Sequence, residues 1–95
     1  MSAMPMPLAK FRLGHIVSTP NALNQLSQED ILIAIQRHQA GDWGDVNEHD
    51  RQENELSLKH GFRLLSVYHA SNGIKFRLIT EADRSATTVL LLEDY

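Results

Sequence analysis

The 95-residue chain contains no cysteine, which removes disulfides, thiolate nucleophiles and cysteine-ligated zinc at once. A thiol-free chain suits a reducing compartment, and a cytoplasmic location is expected. Long hydrophobic runs are missing as well: no stretch approaches the roughly 18 apolar residues that a membrane-spanning helix needs. The first residues, Met1 to Pro7, lack the basic start and long apolar middle of a secretion signal. Neither sign of charge dominates, because 9 Lys and Arg stand against 12 Asp and Glu, for a net charge of −3. That balance offers no general attraction to phosphate or to anionic lipid, so neither nucleic acid nor a membrane is an expected partner. The five glycines lie far apart, too scattered for a phosphate-cradling loop.

What is present is an ordinary globular composition, 42% hydrophobic and 22% charged, enough for one core and one domain over residues 1–95. Residues 1–7, with Pro5 and Pro7 among small residues and Met, read as a loose arm. The segment Leu8 to Ser18 alternates weakly and is expected to form a first strand, interrupted at Gly14 by a bulge or a close backbone approach. Thr19-Pro20 is a helix start, with a hydroxyl to cap free amides and Pro where its missing N–H costs nothing. Ser27, followed three residues later by Asp30, marks a second start. Ile31, Leu32, Ala34, Ile35 and His38 follow at helical spacing, and with Ile33 they make this the core helix, ended by Gly41. Asp45 and Glu48 open a polar third helix that runs to about His60 and stops at Gly61. Within it Glu55 and Lys59 are spaced for an i,i+4 pair, and Val46, Leu56 and Leu58 can reach the core.

Three strand-like runs close the chain: Phe62 to Ala70, Ile74 to Thr80 and Thr87 to Leu92. Asn72-Gly73 between the first two is a hairpin signal of the two-residue type, in which both residues take positive φ. A two-residue loop pairs Ser71 with Ile74 and puts Leu65, Val67, His69, Phe76 and Leu78 on one face. That face is expected to meet the helices. Leu64, Ser66, Tyr68, Lys75, Arg77 and Ile79 then take a wetter face, with Tyr68 opposite Arg77 as a cation–π pair. The run Val89 to Leu92 points to burial on both sides of the last strand. The expected fold is α+β in the order β-α-α-α-β-β-β, an antiparallel sheet with helices packed on one face, the first strand beside the last.

No motif commits the chain to a reaction, and no catalytic, cofactor-binding or metal-ligating residue is assigned. His49 and Glu53 are spaced i,i+4, but two ligands do not complete a zinc site. His38 and His60 sit near helix ends, where a cationic imidazole favours the negative pole of the helix dipole. Ser, His and Asp recur without a nucleophile elbow. The connection Thr80-Glu81-Ala82-Asp83-Arg84-Ser85 is the most functional-looking loop, with two carboxylates and a guanidinium that can meet a partner's charges or simply satisfy the loop itself. Trp43 either anchors helices or offers a stacking surface. The candidate interaction residues are therefore Trp43, Tyr68, Arg77, Glu81, Asp83 and Arg84. Lys10, Arg12, Lys75 and Arg77 could form a basic strip, a weak sign of nucleic-acid binding.

The stretches Phe11-Arg12-Leu13-Gly14 with Ser18-Thr19-Pro20, Gly41-Asp42-Trp43-Gly44-Asp45, and Leu78 to Ser85 with Thr87-Thr88 resemble a group of short bacterial proteins. These are carried on chromosomes, plasmids and prophages and described as plasmid-related proteins of unknown function, some filed beside type I restriction-modification genes. The likeness spans about Phe11 to Tyr95. It implies a mobile-element context and an accessory role in defence or counter-defence, and it carries no active site; a methyltransferase cofactor domain has no room in a chain this short. The expected function is a non-enzymatic interaction module with a protein partner of unknown identity. A small metal-dependent or acid-base enzyme using His49, Glu53 or the loop carboxylates is the competing class.

Overall fold

The computed structural model describes residues 9–94, so the arm expected over residues 1–7 lies outside the described residues. The elements are β1 (His15–Ser18), α1 (Pro20–Gln25), α2 (Gln28–Gln39), α3 (Glu48–His60), β2 (Leu64–His69), β3 (Lys75–Thr80), β4 (Ala86–Leu91) and a short 3₁₀ turn, Leu92–Asp94. The α+β class and the element order follow the sequence pattern. The sheet order is β1-β4-β3-β2. It is mixed rather than antiparallel: β2, β3 and β4 form an antiparallel meander, but β1 runs parallel to β4. The tight turns of the meander force antiparallel neighbours, whereas β1 is separated from β4 by the whole helical section and is free of that constraint.

The caps form largely where the sequence places them. Thr19 Oγ1 accepts the Ala22 N–H at 3.1 Å and Ser27 Oγ accepts that of Asp30 at 3.0 Å. The third helix is capped by Asn47 instead of Asp45, with Asn47 Oδ1 accepting from the Asp50 N–H at 2.7 Å. Asp45 is drawn away to His69, 2.8 Å distant, and to Lys75. Gly61 ends α3 at φ 73° as expected. Only the end of the expected Leu8 to Ser18 strand forms, after the break at Gly14, which takes φ 65°. A Cβ on Gly14 would lie 2.3 Å from the carbonyl of Ser85, so the backbone itself approaches closely there.

The hairpin register differs from expectation by one residue, and this exchanges the faces of β2. Ala70 and Ile74 close the ladder around a three-residue loop, Ser71-Asn72-Gly73, with the Gly73 N–H donating to the Ala70 carbonyl at 2.9 Å. Only Gly73 takes positive φ, at 87°, as in a turn followed by a glycine bulge. The loop is fixed from outside: Asn72 Nδ2 donates to the Gln25 carbonyl, and Asp30 accepts from both the N–H and the hydroxyl of Ser71. The helix-facing side is therefore Leu64, Ser66 and Tyr68 with Phe76, Leu78 and Thr80. Leu65, Val67 and His69 turn to the opposite face with Arg77 and Ile79. Tyr68 consequently stands across from Phe76, and its cation–π partner is the Arg37 guanidinium, 4.6 Å from the ring centroid.

Phe76, Leu78, Val89, Leu91 and Tyr68 pack against Ala22, Leu26 and Ala34, with Ile31, Ile35 and Ile74 at the margin. Each large side chain buried this way contributes about 2 kcal/mol. Leu90 and Ile79 are buried on the other face, so the last strand is covered on both sides, as its apolar run suggested. The core helix is more amphipathic than its sequence implied, since Leu32 and Ile33 are 55% and 48% exposed. In α3 the buried residues are polar, Asn54 and Ser57, while Leu56 faces outward.

Candidate functional site

The structure takes several of the expected interaction residues into the fold. Trp43 is 4% exposed, lies face to face with Phe11 at 6.1 Å and donates from Nε1 to Glu55 Oε2 at 2.8 Å. Glu55 thus serves Trp43, where a pair with Lys59 was expected. Tyr68 is 2% exposed and its hydroxyl donates to the Asp42 carbonyl. Arg84 adopts φ 62° and turns its guanidinium inward. Its Nη1 donates to the carbonyls of Phe62 at 2.6 Å, Glu81 at 3.1 Å and Ala82 at 3.2 Å, and Nη2 to that of Ser57 at 3.0 Å. A cation over the last carbonyls of α3 is electrostatically well placed, and it ties that helix to the β3–β4 turn. Arg77 is half-buried, while Glu81 and Asp83 stay exposed, with Asp83 accepting the Ser85 N–H. A shared docking patch of Trp43, Tyr68 and Arg84 does not form, because all three are engaged internally.

The other candidates separate too. His49 and Glu53 are both exposed and 3.9 Å apart, and no group of three potential metal ligands converges among the described residues. Lys75 lies at the far end of β3 from Thr80, whereas Arg12 precedes β1 beside the Thr80 and Ala86 end. The basic strip is therefore not assembled.

A buried polar network that the sequence did not reveal joins four elements. His38, fully buried, places Nδ1 against Ser66 Oγ and Nε2 at 2.8 Å from Thr80 Oγ1. Thr80 and Thr87 hydroxyls are 2.7 Å apart, and Thr87 donates to the Leu13 carbonyl at 2.7 Å. A carbonyl only accepts, and this fixes the protons from Leu13 as far as His38 Nε2, while a neutral ring leaves Nδ1 to accept. Thr87 donates to Leu13, Thr80 to Thr87, His38 through Nε2–H to Thr80, and Ser66 to His38 Nδ1. Burial, with the nearby Arg84 charge, pushes His38 down to about 4. His38 is therefore neutral near pH 7 and cannot act as the cationic cap expected of it. A serine bonded to a histidine invites comparison with an activated nucleophile, but Ser66 is fully buried and the other ring nitrogen meets a threonine rather than a carboxylate. The signal available in the sequence was three hydroxyl residues, Ser66, Thr80 and Thr87, set into apolar strands.

The two sheet edges are treated very differently. Along β2, Asn54 uses its side-chain amide as a substitute strand, donating to the Leu65 carbonyl at 2.7 Å and accepting the Leu65 N–H at 3.0 Å. Two residues on, the Val67 N–H donates to the Trp43 carbonyl and the Val67 carbonyl accepts from Asp45. Leu65 and Val67, two of the three outward-facing residues of β2, are paired in this way. Along β1 the ladder begins with the His15 N–H on the Ser85 carbonyl and ends with the Thr19 N–H on that of Val89. In a parallel ladder alternate residues bond the same neighbour, so His15, Val17 and Thr19 face β4 while the N–H and C=O of Ile16 and Ser18 point outward. Ile16 and Val17 are 50% and 49% exposed. No described residue covers this edge.

Comparisons with family models, with curated proteins and with solved structures each return no match for this chain.

Proposed function

We propose that the chain is a non-enzymatic interaction module that binds another polypeptide by strand addition along β1. The supporting observation is the contrast between edges: Leu65 and Val67 of β2 are paired with Asn54 and the Trp43–Asp45 backbone, while β1 presents outward strand groups that no described residue pairs, beside exposed Ile16 and Val17. Proteins ordinarily blunt a free edge with charge, proline or a covering segment, and an edge left bare and apolar fits backbone-mediated recognition. The setting we propose is cytoplasmic, as an accessory protein of a mobile element acting in defence or counter-defence. No helix of the described residues is long and apolar enough to cross a membrane.

Site-specific photocrosslinking in producing cells tests this reading. A crosslinking residue at position 16 or 18 is expected to give the same discrete adduct, and one at position 65, where Asn54 closes the β2 edge, to give none. Adducts confined to position 65, or equal at all three positions, would overturn it.

A further inference from the structure

We infer that the strand received by β1 is β1 of a second copy, an inference that rests on the reading of this edge as the docking surface. The geometry admits one symmetric register that uses every free group. The outward backbone groups belong to Ile16 and Ser18, so an antiparallel partner must set Ile16 opposite Ser18 of the second copy, and Ser18 opposite its Ile16, with a two-fold axis at Val17. Four backbone hydrogen bonds result. Extension by two residues would bring Gly14 against Pro20, which has no N–H to donate, so the ladder ends where the free groups end.

Side chains and charges agree with that arrangement. Val17 sits at the close, non-hydrogen-bonded position, where like residues meet across the axis and their two half-exposed β-branched side chains cover each other. Ile16 lies on the other face, beside Ser18 of the second copy. The antiparallel sense also brings opposite charges together. Arg12, exposed just ahead of β1, makes no ion pair among the described residues. Beyond the other end lie Glu93 and Asp94, the latter held there by Thr19 at 2.6 Å and Asn21 at 2.7 Å. The two-fold places the Arg12 end of each copy on the acidic end of the other, twice per dimer. At its own end Arg12 has the β3–β4 turn, whose carboxylates Glu81 and Asp83 form no ion pair with it. A parallel pairing would instead set like charges together.

The contact is small. Four residues per strand bury much less than the ~800 Å² per partner of a standard interface, so the dimer is a weak one that dissociates on dilution. Sedimentation of the full chain from micromolar to millimolar concentration is expected to show a monomer–dimer equilibrium, and Ile16→Lys to weaken it at least about tenfold by setting a charge on the edge. Amide exchange gives a second reading on the unaltered protein: Ile16 and Ser18 gain protection as concentration rises, while Val17 and Thr19, bonded to β4, are protected throughout. A protein monomeric at all concentrations with Ile16 and Ser18 amides exchanging freely would overturn the second copy and leave strand addition by a different polypeptide to the crosslinking test. Ile16 and Ser18 amides protected equally at every dilution would mean that the chain covers its own edge, overturning both readings. A dimer unaffected by Ile16→Lys would place the contact elsewhere and overturn the inference.

Discussion

His38 makes the fold sensitive to acid in a definable window. Its imidazole is free to titrate near the ordinary histidine value of 6.5 when the chain is unfolded, but in the fold it is held down to about 4 by burial and by the Arg84 charge. Between these values the unfolded chain binds more protons than the folded one, so stability rises with pH. The contribution is complete above pH 6.5 and is lost as pH falls toward 4. The full span corresponds to about 3 kcal/mol, of which about 2 kcal/mol is gone by pH 5. A domain of this length has about 5 to 15 kcal/mol in total, so the loss is readily measured. The carboxylates held below their usual range, Asp42 by Arg37 and Asp94 by Thr19, keep their contributions until the pH drops below about 4, which separates the two effects. Urea unfolding followed by the fluorescence of Trp43, which lies 5.7 Å from the His38 ring, is expected to give a midpoint that falls from pH 7 to pH 4.5 at constant m-value. His38→Gln should abolish most of that slope. A flat midpoint over this range, or the same slope in His38→Gln, would refute the argument. An imidazole NMR titration provides a direct check: His38 should remain the neutral Nε2–H tautomer down to about pH 5.

Arg84→Ala is expected to destabilise the protein by about 2 kcal/mol or more, because the guanidinium serves four carbonyls on α3, the α3–β2 link and the β3–β4 turn; urea unfolding matching the unaltered protein would contradict this. Asn54→Ala should cost a similar amount, since it leaves the Leu65 N–H and carbonyl without their partners. It should also accelerate exchange of the Leu65 amide selectively, and an unchanged exchange rate there would show that Asn54 is not what closes β2.

The elements whose signals are local were legible in the sequence. Thr19-Pro20, Ser27 with Asp30, and Gly61 each act within one helical turn, and each forms as read. The register of the hairpin was not legible, because Asn-Gly fits both a two-residue loop and the last two positions of a three-residue one. The choice between them is made by Gln25 and Asp30, reaching Asn72 and Ser71 across more than forty residues of chain. One residue of slip then moved Tyr68 from the wet face to the core. The candidate site suffered for a related reason. Trp43, Tyr68 and Arg84 have the composition of a recognition patch, but each is satisfied by a backbone carbonyl or a carboxylate distant in sequence. The bare edge at β1 could not be read either, since it depends on the parallel pairing with β4 and on what fails to cover it.

On the reading proposed for it, that edge is also well prepared to bind. An isolated four-residue strand would normally fray, and binding to it would carry the entropy of ordering it, about 1 to 2 kcal/mol per residue. Here both ends are fixed independently of any partner. Gly14 lies directly on the Ser85 carbonyl, where even a methyl group would collide. At the other end Thr19 caps α1 while donating to Asp94, which in turn accepts the Leu91 N–H. The inner groups of His15, Val17 and Thr19 are held by β4, so the outer groups of Ile16 and Ser18 stand in strand geometry before anything arrives. Ordering has already been met by folding, and an incoming strand need supply only its own. On the proposed reading a short edge of this kind can therefore bind where a longer but mobile one would not, and Gly14, which is not in the contact, bears on recognition as directly as Ile16.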